Sequence, residues 1–141
     1  MIEIKEISSP SELVETFDVR RIVFVIGQNC PPDEEYDEFD ATATHLRARY
    51  NGLTVGTCRY RKTDFGWKLE RFAVLDNYRG KGIGKALVNA CLDALKQKGE
   101  TIYLHAQTHA ETFYGELGFD RMGDLFVEAG IDHYKMIFNG G

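Results

Sequence analysis

Arg79-Gly80-Lys81-Gly82-Ile83-Gly84-Lys85 decides how the rest of the chain reads. Three glycines let the backbone approach a ligand closely, and the amides of such a loop, with those of a following helical turn, converge on one spot. The positive end of that helix and the charges of Arg79, Lys81 and Lys85 make the spot suited to phosphate. A Walker loop is excluded: Ala86 follows Lys85 and no glycine stands five residues before Gly84. A dinucleotide fingerprint started at Gly80 would need its third glycine where Lys85 stands. The plain alternative is a turn rich in glycine, for which the interleaved basic residues are excessive.

Downstream, Ile83, Ala86, Leu87, Ala90, Cys91, Ala94 and Leu95 recur at helical spacing, and Gly99 stands where a C-cap belongs. Residues 101–106 read as a strand, parallel to the one before the helix because a helix connects them. Thr108-His109-Ala110-Glu111 predicts a capping box and a helix with Ala110, Phe113, Tyr114 and Leu117 on one face. Two strands follow, at residues 119–127 and 131–138. Upstream, Asn51-Gly52 predicts a hairpin between residues 42–50 and 53–63, and Asp64-Phe65-Gly66 turns into a third strand at 67–75. In that strand Trp67, Leu69, Ala73 and Leu75 share a side with Arg71 among them, while the other side passes from Lys68 and Glu70 to Phe72 and Val74. Such a change of character predicts a bulge, or a strand that leaves its neighbour midway.

Ser9-Pro10-Ser11-Glu12 opens a helix with Leu13, Val14, Phe17, Arg21 and Phe24 on one side, after a first strand through Ile2 and Ile4. Pro31-Pro32 interrupts regular structure. Asp33, Glu34, Glu35, Asp37, Glu38 and Asp40 then form either a solvated acidic segment or a negative rim that attracts an amine. The order β-α-βββ-α-β-α-ββ predicts an α/β fold: a mixed, mostly antiparallel central sheet flanked by helices, in one domain over residues 1–141.

Composition narrows the function classes. With 43% hydrophobic and 28% charged residues in 141, the chain is of ordinary globular make-up. A net charge of −5 argues against a nucleic-acid partner, and the longest aliphatic or aromatic run, residues 22–26, is too short to span a membrane. Cys30, Cys58 and Cys91 are an odd, widely spaced set, and the N-terminus has no signal-like apolar stretch, so a reducing, cytoplasmic setting is expected. His105 and His109 stand four apart without a third ligand, and no metal is expected.

Arg79-x-x-Gly82-x-Gly84 resembles the R/Q-x-x-G-x-G/A signature of the GNAT N-acetyltransferases, and Phe113-Tyr114-Gly115-Glu116-Leu117-Gly118-Phe119 resembles the family's F-Y-x-x-x-G-F. Glu35-Tyr36-Asp37-Glu38-Phe39-Asp40, His45-Leu46, Ala106-Gln107 and Gly130-Ile131-Asp132-His133-Tyr134-Lys135-Met136 are similar to the bacterial ElaA/YjcF-type branch, in which Gly27 is usually glutamate. The resemblance implies a GNAT fold and acetyl-CoA as cosubstrate. Its pyrophosphate would lie on the backbone of Arg79, Gly80, Lys81, Gly82, Ile83, Gly84 and Lys85. Its pantetheine would lie along Phe72, Ala73 and Val74, beside Phe113. Tyr114 holds the family's general-acid position; by periodicity alone it is a core residue. Glu70 is a candidate general base, although the family's best-known base aligns with Lys68. Arg71 is a possible contact to an anionic substrate group. Gln28, His45, Gln107 and His133 are further substrate-side candidates on resemblance alone. The expected activity is acetyl transfer to a small-molecule primary amine. An acyl-CoA sensor or a protein acetyltransferase are the alternatives, with the chain a monomer or homodimer.

Overall fold

Asn51 and Gly52 both adopt positive φ, 51° and 88°, which is the backbone of a type I′ turn and matches the right-handed twist of the strands it joins. The turn connects β2 (Thr44–Tyr50) to β3 (Leu53–Lys62), and β4 (Trp67–Val74) continues the meander. The computed structural model describes residues 1–29 and 36–140, so Asp33, Glu34 and Glu35 of the acidic stretch lie outside the described residues. With β1 (Ile2–Glu6), β5 (Ile102–Gln107), β6 (Phe119–Glu128) and β7 (Ile131–Phe138), the strands form one sheet in the order β1-β2-β3-β4-β5-β7-β6. Among the described residues only β4 and β5 pair in parallel. The helices are α1 (Pro10–Arg20), α2 (Ile83–Leu95) and α3 (Glu111–Glu116).

The local signals act where expected at two helix ends. Ser9 caps α1 through a 3.3 Å bond from the Glu12 amide, with Pro10 in the first turn. Gly99, at φ 69°, closes the turn after α2. Two expectations are corrected. No side chain caps α3: a 3₁₀ turn over Thr108–Ala110 leads into it instead of a capping box. The buried face of α1 and of the π-helical turn that follows it (Arg21–Ile26) carries Thr16, Val19, Arg20 and Val23, while Val14 and Arg21 are exposed. Arg20 turns inward because carboxylates await it there.

The core lies between one sheet face and α2. Leu46, Ala48, Val55, Cys58, Leu69, Leu104 and Met136 meet Ile83, Leu87, Val88, Cys91 and Leu95, all buried. The opposite face, under α1, buries His45, Arg47, Arg59 and Glu70.

β4 is irregular where the sequence changed character. Its partners run from Arg59↔Glu70 to Thr57↔Ala73, so β4 holds one residue more than β3 across the step. Arg71 takes the strain, at φ 59°. One extra residue reverses side-chain parity. Hence Leu69, Phe72 and Val74 pack with the α2 core, and Ala73 packs with Val19 and Val23, not on the side of Leu69. Parallel pairing to β5 ends at Leu69↔Leu104. Bulge and departure therefore occur together, and the two strands part beyond that pair.

Candidate active site

The gap between the parted strands opens into a cavity of about 990 Å³. One wall is the β4 edge at Phe72, Ala73 and Val74, whose main chain has β3 on one side and no β5 on the other. This free edge runs into the loop before α2. Gly80 and Gly82 stand at φ 80° and 85°, and Gly82 is the N-cap residue with no side chain capping the helix. The first helical bond there runs from the Ala86 amide to the Gly82 carbonyl, and the amides from Gly80 to Lys85 donate to none of the described residues. Unsatisfied N–H groups at a helix start, with no acidic residue nearby in the first turn, are an anion cradle. The basic side chains do not point uniformly at it. Arg79 bonds the Val74 carbonyl at 3.2 Å and Asp76 at 2.7 Å, and the Lys81 ammonium lies over the Tyr50 ring. Gly84 faces Phe113, to which an added Cβ would come within 3.4 Å.

Tyr114, on α3, lines the same cavity and packs its ring against Phe72, Phe113 and Phe119. Its hydroxyl makes no hydrogen bond with a described residue, yet none of the buried polar side-chain atoms there lacks a partner. The hydroxyl is therefore open to the cavity. Burial, and then the neighbouring Cys58 and Cys91, push its pKa well above the ordinary tyrosine value, so the proton stays on oxygen in the ligand-free protein.

Behind β4 lies a charge network that the sequence reading missed. Arg59 bonds Asp37 at 2.8 and 2.9 Å, Asp40 at 2.6 Å and Glu70 at 2.6 Å, and Arg20 bonds Asp40 at 2.7 Å. Arg61 and Lys68 add bonds to Glu70 at 3.0 and 3.2 Å. Burial alone would raise the Glu70 pKa, but Arg59, Arg61 and Lys68 outweigh it and hold the carboxyl at about 2. This corrects the expectation for Glu70. A carboxylate bound by three cations is a poor proton acceptor, and its role is to fix the strand and the cations around it. Asp37, likewise desolvated but dominated by Arg59, sits at about 2. Asp37 and Asp40 are thus neither freely solvated nor available as a rim for amines.

The network makes stability depend on acid. Both carboxyls are lowered from ordinary values of 3.8 and 4.5 to about 2. Lowered folded-state values stabilise fully above the unfolded ones and lose that stabilisation as pH falls through the folded ones. The melting temperature should be flat above about pH 5 and fall steeply between about pH 4.5 and 2. A flat profile across that window in a differential scanning experiment would refute the assignment.

Most of the residues expected to handle a substrate come together. Gln28, Arg71, Gln107 and His133 line the cavity with Glu70 and Tyr114. Gln28 and Gln107, from segments far apart in the chain, exchange amide bonds of 3.5 and 3.2 Å. Arg71 reaches Asp37 at 3.3 Å. His45 does not join them: it is buried under α1, and its Nε2 donates to the Asp40 carbonyl at 2.9 Å. Its candidacy as a substrate contact is corrected to bracing the turn that presents Asp40. A side chain at position 27 would require the backbone to shift, because a Cβ there would lie 2.6 Å from the Val23 carbonyl oxygen. Glu128 and His105 also line the cavity. Nothing in the sequence singled out Glu128, and His105 drew notice only as half of an incomplete metal motif.

Residues 15–139 match the family model described as the acetyltransferase (GNAT) domain. The chain belongs to the GNAT acetyltransferase family. Among relatives of this GNAT chain is YjcF of Bacillus subtilis, named as an uncharacterized N-acetyltransferase, 36% identical over 89% of this chain and 91% of its own. The crystal structure of ElaA from Escherichia coli is 29% identical, superposes with a TM-score of 0.87, and covers 99% of this chain and 100% of that one. An aminoglycoside 6'-N-acetyltransferase solved with coenzyme A shares the fold at 19% identity, with a TM-score of 0.73 and coverage of 96% and 95%. The α/β GNAT fold expected from the sequence is the fold observed.

Proposed function

We propose that this protein is an acetyl-CoA-dependent N-acetyltransferase that acetylates the primary amine of a small molecule by direct attack on the thioester. The observation that carries the reading is the continuity of two free main-chain surfaces, the β4 edge at Phe72, Ala73 and Val74 and the uncapped start of α2. The first can pair with the two amides of a pantetheine arm as a strand would, and the second can receive a pyrophosphate. A relative of the same fold solved with coenzyme A supports the choice of ligand class.

The residues divide the chemistry. An amide of β4 near Ala73 or Val74 polarises the thioester carbonyl; a pre-aimed donor of this kind is worth about 3–4 kcal/mol in acyl transfer. Phe113 packs beside the arm. Tyr114, its hydroxyl open to the cavity, supplies the proton that the departing thiolate needs. The burial that raises the tyrosine pKa makes a thiolate formed beside it more basic as well, which offsets the uphill transfer.

The test is release of CoA thiol from acetyl-CoA over a panel of amines. Tyr114→Phe should lower kcat roughly 100-fold while acetyl-CoA affinity is kept. Unchanged turnover would return Tyr114 to the core. Binding of acetyl-CoA without transfer to any amine, small or peptide, would make the chain a sensor.

A further inference from the structure

Direct attack requires an amine that has lost its proton, and Glu70, tied to Arg59, Arg61 and Lys68, is no acceptor for it. We propose that His105, oriented by Glu128, is the general base that takes the proton of the acceptor amine. This inference rests on the acetyl transfer proposed above.

His105 follows Leu104, the last β5 residue paired with β4, so it is the first side chain beyond the point where the strands part. Leu104 and Ala106 point into the α2 core, and alternation puts His105 on the other face of the sheet. Tyr114 reaches the gap from the α2 side, where it belongs to the same core. A proton donor and a proton acceptor thus flank the opening from opposite faces, so that the incoming amine and the departing thiolate each meet a separate group.

His105 Nδ1 lies 3.1 Å from Glu128 Oε1, and a carboxylate can only accept there. Nδ1 therefore carries a hydrogen, so the neutral ring has its lone pair on Nε2, which has no partner among the described residues. That is the arrangement by which a carboxylate sets a histidine tautomer and steadies the imidazolium once it forms. Phe126 holds the ring edge-on at 4.9 Å. Phe126 and Glu128 follow the step at which β6 gains two residues against β7, between Met122 and Phe126. His133 is the weaker candidate: its Nδ1 donates to the Ile131 carbonyl at 2.7 Å, and its Nε2 already faces Glu128 at 3.8 Å. Charged and titratable groups around His105 are Glu128 from β6, His133 and Lys135 from β7, Lys68 and Glu70 from β4, and Tyr103 on β5 itself. The hydrogen bond from His105 is the foremost cause holding the Glu128 carboxyl below its usual range.

The proton balance closes. The ammonium gives one proton to His105 Nε2, which passes it to solvent. As the new C–N bond forms and the C–S bond breaks, the amide nitrogen sheds a second proton and the thiolate gains one from Tyr114, which the second proton replenishes. The net release is one proton per acetyl group.

The discriminating experiment compares two kinds of acceptor with acetyl-CoA at pH 8: a set of primary alkylamines (ethanolamine, spermidine and lysine methyl ester) and hydroxylamine, which is already neutral at that pH and needs no base. With His105→Gln, kcat/KM should fall about 100-fold for the alkylamine used best and less than about 3-fold for hydroxylamine. Glu128→Gln should give the same pattern more weakly and shift the acid limb of the alkylamine pH profile, while Glu128→Asp restores part of the rate. His105→Asn serves if the glutamine variant does not fold, and each variant should keep the thermal shift with acetyl-CoA. An equal loss on both acceptors, or none on either, overturns the assignment of His105 and leaves acetyl transfer standing. Wild-type protein that transfers to no acceptor removes both.

Discussion

Arg59→Ala should cost about 3–5 kcal/mol of stability, the loss typical of removing one member of a buried ion pair. Arg59 is 1% exposed and is the shared partner of Asp37, Asp40 and Glu70. Its removal takes away the one cation shared by all three carboxylates and leaves Asp40 to Arg20, Asp37 to Arg71, and Glu70 to Arg61 and Lys68, around an empty volume. For a chain of this length the loss is a fall in melting temperature of about 10–20 °C. Arg59→Lys should recover little, because one ammonium cannot span the fan of acceptors that a guanidinium reaches. Arg49→Ala is the control: its pair with Glu15, 3.7 Å long and partly exposed, should be worth under about 1 kcal/mol. Urea titrations of the three variants decide the matter. A loss of less than 1 kcal/mol in Arg59→Ala would mean that water reaches the network and that β4 is positioned by something else.

Gly82→Trp should abolish the rise in melting temperature that acetyl-CoA produces in the unaltered protein. At a ligand concentration 100 times Kd that rise corresponds to about 2.7 kcal/mol. Gly82 lies at φ 85° with nothing within 4 Å of an added Cβ, so an indole projects into the space where the cradle's amides converge rather than into the core. A side chain at positive φ carries a backbone cost of about 1–2 kcal/mol of its own. Gly52→Ala separates the two effects. It stands at φ 88° in the hairpin, also with open space around the added carbon, and should lose comparable stability while keeping its full response to acetyl-CoA. A normal ligand-induced shift in Gly82→Trp would move the acyl donor away from α2 and take the roles of Tyr114 and His105 with it.

The glycine loop before α2 was legible because every part of it is local: glycines at Gly80 and Gly82, a helix that starts after them and no side chain to cap it. The irregularity of β4 was legible too, although its consequence was not. The reading kept Ala73 on the side of Leu69, whereas the extra residue at Arg71 moves it to the α1 face. Likewise the alternation in β2 correctly put His45, Arg47 and Arg49 opposite Leu46 and Ala48, but His45 and Arg47 proved buried. Polar residues on one strand face look the same in sequence whether that face meets water or meets carboxylates carried by a helix and a distant turn.

The sequence by itself determined the turns, the start of α1, the end of α2, the element order and the glycine loop before α2, since each depends on residues within a few positions of one another and on the φ values those residues permit. Only the tertiary structure decided that β7 lies between β5 and β6, that Arg59 collects three carboxylates, and that Glu128 meets His105. Those outcomes join segments tens of residues apart, where the free energy of pairing charges and closing a sheet outweighs any preference that a stretch of chain expresses alone.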